Sequence, residues 1–180
     1  MLKRLSKNNA ALLILLALIS WLGYDSYRQQ FLVPKGSKLP FTRFRSIDGI
    51  TSQPLPKEKV FQILFLFSPS KKESRWAAKS LNMVKSILPE NFKIFSIAQN
   101  YKSTEEVLEF KQAALDVEAF FGYQKALDAY KVKELPMFYF VNPQGTITAS
   151  TIGFTTPIGI LIRAYFSSED KEENKWYLKF

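Results

Sequence analysis

The sequence predicts a mixed α/β sandwich around a largely buried central sheet, and three observations carry that prediction. Apolar runs of strand length recur along the chain, at residues 59–67 (KVFQILFLF), 93–98 (KIFSIA) and 137–141 (MFYFV). They are too continuous for a sheet with one wet face. Stretches with helical spacing of apolar residues lie between them, which interleaves helices with strands. The composition, 47% hydrophobic and 23% charged with 16 Phe, 8 Tyr and 3 Trp, is enough for a packed interior. A chain of 180 residues has room for one such core and a small extra element.

The extra element is N-terminal. Residues 8–24 carry no charge and include AALLILLALISWLGY, a run at the short limit for crossing a bilayer. Lys3, Arg4 and Lys7 precede it, so residues 1–7 are expected in the cytoplasm and residues 8–30 to form a single-pass anchor. Trp21, Tyr24 and Tyr27 suit the far interface. A cleaved signal peptide is the competing reading, but Ser20-Trp21-Leu22-Gly23-Tyr24 is too bulky for a good cleavage site. Residues 31–37, broken by Pro34 and Gly36, are expected to be a linker.

The folded region is expected over residues 38–166. FTRFRS (residues 41–46) reads as a strand running into an Asp48-Gly49 turn, and the buried strand at 59–67 follows. A helix is expected over about residues 71–88, then the strand at 93–98. Ser103 and Glu106 have capping-box spacing and open a helix carrying Val107, Phe110 and Ala114 on one face. A further helix is expected over YQKALDAYKV (residues 123–132). The strand at 137–141 turns through Asn142-Pro143-Gln144-Gly145 into a return strand, TITASTIG. Thr156 then caps a helix with Pro157 at its first position. Residues 167–180 form a polar tail closing in Trp-Tyr-Leu-Lys-Phe.

Residue inventory removes much chemistry. The chain has no Cys and no His, hence no disulfide, thiol nucleophile, thiolate or imidazole metal ligand, or general base of ordinary neutral pKa. No metal and no other cofactor is expected. The net charge of +9 arises within residues 1–93. No nucleic-acid motif accompanies it, so it reads as a membrane-flanking cluster plus a solvated helix face, with no nucleic-acid partner.

Three stretches carry a family resemblance: GSKLPFTRFRSIDGI (residues 36–50), ILFLFSPSKKESR (63–75) and YKVKELPMFYFVNPQGTITASTIGF (130–154). With the N-terminal anchor, they resemble the membrane-anchored thioredoxin-like proteins of the TlpA/ResA type. The resemblance implies a thioredoxin-like three-layer sandwich with a central mixed sheet. It places the family's Cys-x-x-Cys on Lys71, Lys72, Glu73 and Ser74, and its cis-proline on Pro136, preceded by Leu135. Both cysteines are absent. Thiol–disulfide exchange needs an attacking thiolate and a resolving thiol, so the resemblance implies a redox-inactive pseudoenzyme. It also implies a peptide groove along Leu135 and Pro136.

Other readings of the same residues compete. Ser68-Pro69-Ser70-Lys71 matches Ser-x-x-Lys, but the supporting hydrolase motifs are missing. Ser70 with Glu73 reads instead as a capping box. On the helix that follows, Lys71, Lys72, Arg75 and Lys79 share one sector, while Ala77, Leu81, Val84 and Leu88 should face the sheet. Trp76, Met83 and Ile87 form a second apolar stripe. It reads either as more core, which is favoured, or as a protein contact centred on Trp76 with Arg75 and Lys79. Trp176, Tyr177 and Phe180 are a second candidate contact, or else fold back onto the domain. The expectation is a single-pass bacterial inner-membrane protein with a periplasmic domain that binds a protein partner and no small-molecule substrate. The alternative is an assembly factor or holdase that takes extended polypeptide at the cis-proline groove.

Overall fold

The computed structural model describes residues 32–40, 44–47, 51–52, 60–122 and 128–168, with helical residues at 12–16, 19–20, 23–24 and 27. Among the described residues no helix is long and apolar enough to cross a membrane. Much of the expected anchor, the Asp48-Gly49 turn, the first half of the helix expected at 123–132, and Trp176, Tyr177 and Phe180 lie outside them.

Among the described residues, seven strands form one mixed sheet. They are β1 (Phe44–Ser46), β2 (Thr51–Ser52), β3 (Phe61–Phe67), β4 (Phe92–Ala98), β5 (Glu118–Phe121), β6 (Met137–Val141) and β7 (Ile147–Ile152), in the order β2-β1-β5-β4-β3-β6-β7. The β3–β4 and β4–β5 pairs are parallel; β3–β6, β6–β7, β1–β5 and β1–β2 are antiparallel. The helices are α1 (Lys72–Lys85), α2 (Thr104–Ala114) and α3 (Pro157–Ser168). β5 and β2 have no counterpart among the expected strands. Their four and two residues are too short for an alternation to stand out, and β5 is a strand because it completes the parallel edge of β4.

Every residue of β3 and β6 is buried, because the sheet is covered on both faces. Side chains alternate between two cores. Ile63, Phe65 and Phe67 meet Ala77, Leu81 and Val84 of α1, Val107 and Phe110 of α2, and Ile160 and Ala164 of α3. Leu64 and Leu66 point the other way, onto Leu32, Val33, Leu39, Tyr130, Leu135 and Tyr139. Stacked rings knit the first core: Phe65 lies 4.8 Å from Phe138, and Phe67 lies 4.5 Å from Phe110.

The second core revises the expected boundaries. Residues 32–37, expected as a linker, are part of the fold. Leu32 and Val33 are buried, Val33 N–H donates to Tyr139 Oη at 3.3 Å, and Ile147 N–H donates to Ser37 O at 2.9 Å. Two apolar side chains next to an uncovered sheet face bury themselves on it, despite the Pro and Gly around them. At the other end α3 runs through Ser168, two residues into the expected tail. Gly159 N–H donates to Thr156 Oγ1 at 3.1 Å, which is the expected cap ahead of Pro157. The β6–β7 turn also follows the sequence. Asn142 Oδ1 accepts from the N–H of Gln144 and of Thr146, and Gly145 takes φ +74°, a conformation suited to glycine.

Candidate functional site

The chain leaves β3 at Phe67 and enters α1 at Lys72, and the residues between them sit at the end of the sheet. Ser68 and Pro69 are buried, and Lys71 N–H donates to Ser68 O at 3.1 Å, closing a tight turn. That turn takes up one residue more than the capping-box reading allows. Lys71, extended at φ −88° and ψ 129°, is the N-cap and makes no side-chain cap bond. Glu73 therefore stands second in the helix, where it cannot reach back as a third-position glutamate does. The expected Ser70–Glu73 capping box is thus not formed. Ser70 is exposed, and its hydroxyl lies 3.0 Å from Ser68 Oγ.

The two positions matched to the family's cysteines are both tied into the scaffold. Ser74 is fully buried, and its Oγ accepts from Ser68 N–H at 3.1 Å. The Lys71 ammonium donates to Leu135 O at 3.4 Å, across the gap to the loop before β6. The Leu135–Pro136 peptide bond is cis, and both residues are buried. Pro136 O accepts from Gly153 N–H at 2.7 Å. Both carbonyls flanking the cis bond therefore hold donors from the same chain. Ser68 Oγ donates to Asn100 O at 3.3 Å, and Asn100 adopts a left-handed φ of 51° after β4. One turn thus clips together the ends of β3, β4 and β6.

This arrangement supports no nucleophile–base pair. Lys71 reaches Leu135 rather than Ser68, whose hydroxyl is buried between Ser70 and the Asn100 carbonyl. A base has to come within hydrogen-bond reach of the group it deprotonates, about 2.6–3.2 Å between heavy atoms or through one water. The residues of the Ser-x-x-Lys pattern serve the turn and the contacts around it here. A cleft of about 540 Å³ lies elsewhere, between α1 and α2 beside Lys79, Asn82 and Lys111.

α1 turns Ala77, Leu81 and Val84 inward, as expected, together with Ala78; Leu88, expected on the same face, lies beyond the end of α1 and is partly buried against the same core. The second apolar stripe is not core: on α1 Trp76 is 47% exposed and Met83 63%, and Ile87, in the turn just after the helix, is 47% exposed. Trp76 packs edge-on against Phe154, 6.1 Å between centroids, and Lys72 Nζ lies 5.0 Å from its ring. Arg75 and Lys79 are exposed beside it. α3 adds a second outward apolar stripe at spacing i, i+4, i+8, made of Ile158, Ile162 and Phe166, all at least half exposed. Sequence reasoning missed this stripe, since apolar residues all round a helix read as full burial. Ser68 was singled out only as the head of the Ser-x-x-Lys pattern, not as a tie between strands; Asn100 was missed, and only the left-handed tolerance of Asn hinted at it.

No family model and no curated protein matches the sequence. Solved structures do match in shape. A thiol:disulfide interchange protein of the thioredoxin family from Chlorobium tepidum superposes with a TM-score of 0.64 at 11% identity, covering 75% of this chain and 98% of that one. StoA from Bacillus subtilis gives 0.60 at 14% identity, covering 69% and 96%. A secreted disulfide oxidoreductase of Mycobacterium tuberculosis gives 0.60 at 16%, covering 69% and 94%. Identities this low show the fold alone: a mixed α/β thioredoxin-like sandwich with a central mixed sheet. The chain contains no cysteine, so a redox-active Cys-x-x-Cys is absent.

Proposed function

We propose that this chain is a redox-inactive relative of the TlpA/ResA-type proteins, anchored in the bacterial inner membrane with its domain in the periplasm. There it serves as a protein-binding or structural subunit of an envelope complex. The observation that carries the reading is the locked turn at residues 68–74. Lys71 and Ser74 replace the two sulfurs, and each spends its polar group on a neighbouring backbone rather than on chemistry. A scaffold retained without its reactive pair keeps its surfaces, and Trp76 with Arg75 and Lys79 supplies an aromatic–basic contact of the kind that anchors protein interfaces.

The alternative, an assembly factor gripping extended polypeptide along Leu135 and Pro136, is less well supported. An incoming strand would have to displace Lys71 from Leu135 O before it could use that acceptor. The two readings separate on gentle detergent extraction of the full chain. The subunit reading expects a partner retained in fixed ratio and weakened about tenfold by Trp76→Ala, with the fold unchanged. Heterogeneous, substoichiometric clients insensitive to Trp76→Ala would favour the alternative. An extract holding no partner at all would count against both.

A further inference from the structure

We infer that the outward face shared by α1 and α3 is a docking surface for the chain's own C-terminal segment, residues 169–180. The face is apolar along both helices: Trp76 and Met83 on α1 and Ile87 in the turn after it, with Ile158, Ile162 and Phe166 on α3. Monomeric proteins seldom leave two adjoining apolar stripes to water, so this face has an occupant. The segment that leaves α3 at Ser168 begins beside it.

Three properties of that segment fit the face. The first is composition: seven polar residues, Glu169 to Lys175, lead into Trp176, Tyr177, Leu178 and Phe180, which supply large apolar side chains. The second is reach. Seven extended residues span up to about 25 Å, whereas α3, with 12 residues, is about 18 Å long. The aromatic group can therefore return over the whole of α3 and onto α1. The third is charge. Glu169, Asp170, Glu172 and Glu173 outnumber Lys171 and Lys175 in the spacer, while Lys72, Arg75 and Lys79 border the apolar face. No described carboxylate forms a salt bridge with Arg75 or Lys79. The segment thus matches the surface in both its apolar and its ionic part. A partner that uses Trp76 would first displace it, which makes the tail a built-in competitor at the surface proposed above. The inference itself needs no partner.

The absence of cysteine from the chain makes the test clean, because any disulfide must join introduced residues. The purified full chain, dilute in detergent, would carry Met83→Cys with Tyr177→Cys, and a control would carry Gln112→Cys with Tyr177→Cys. Gln112 is exposed on α2, away from the face. Docking predicts an intrachain disulfide about tenfold more abundant for 83/177 than for 112/177, from the higher effective concentration. Adding Ile162→Glu should bring the ratio close to one while circular dichroism stays unchanged, since Ile162 points outward. Equal yields in the two pairs would overturn the inference. So would interchain disulfides, which would seat a second copy on the face. Protection of an Ile162→Cys variant from a water-soluble maleimide only on addition of anionic vesicles would assign the face to a lipid surface, and would likewise overturn it. Because no partner is present, these results stand or fall independently of the co-extraction experiment.

Discussion

Ser74 is enclosed by protein, and its hydroxyl is the acceptor for the Ser68 N–H. Ser74→Ala leaves that buried donor unpaired, at an expected cost of about 1–3 kcal/mol in chemical denaturation. Ser70→Ala, on an exposed residue that caps nothing, should fall within about 0.5 kcal/mol of the parent. The reverse ranking would restore the capping-box reading of this turn. Tyr139 is the corresponding node on the other face of the sheet. Its hydroxyl donates to Tyr130 O at 2.7 Å and accepts from Val33 N–H. Burial pushes its pKa up to about 12, against a smaller lowering by the Val33 bond, and burial raises Tyr130 as well. Folding therefore favours the protonated phenol. That contribution is complete below the unfolded value of 10 and is lost as pH rises from 10 through 12. It amounts to roughly 2–3 kcal/mol for Tyr139. Tyr139→Phe should be less stable at neutral pH and show a shallower alkaline loss of stability in unfolding titrations.

Among the helices, α2 keeps the N-cap its sequence predicts, with the glutamate reaching one residue further back than in a capping box, and α1 does not. Ser103 Oγ accepts from Glu106 N–H at 3.3 Å, and Glu106 Oε2 accepts from Lys102 N–H at 2.8 Å. Ser103→Ala should lower stability by about 1 kcal/mol, a shift visible in thermal unfolding. The same four-residue spacing at Ser70 fails because the turn after β3 is set by tertiary contacts, with Ser68 held by Ser74 and Asn100. The long buried strands were legible because β3 and β6 are apolar on both faces. β5 was not, since only its pairing with β4 distinguishes EAFF from a loop. The stripe of Trp76, Met83 and Ile87 shows where pattern reading stops. Helical spacing tells which residues share a face, but whether that face meets a neighbour depends on where α3 lies, which one helix's sequence does not encode.

At the scale of the molecule, the thioredoxin-like sandwich is completed by its N-terminal approach. Removing residues 1–31 should leave the domain folded. Removing residues 1–37 should cost about 3–6 kcal/mol, because it strips Leu32 and Val33 from the second core. Equal stability of the two truncations would show that residues 32–37 are a free linker after all. The resemblance pointed to positions 71, 74 and 136 and implied the cis bond before Pro136, which is present, but not the hydrogen bonds at 71 and 74. A lysine bonded to a carbonyl 64 residues away is a fact of the folded chain alone.

Returning a thiol pair to positions 71 and 74 tests whether a thioredoxin-like site survives here as structure with its reactive pair replaced. A Lys71→Cys/Ser74→Cys variant of the full chain should fold, and on mild oxidation should lose two hydrogens by mass spectrometry as a single intrachain disulfide, because two positions three residues apart at a helix start suit that geometry. Thiols at 71 and 74 that refuse to pair in a folded protein would contradict the assignment of this turn as the altered redox site.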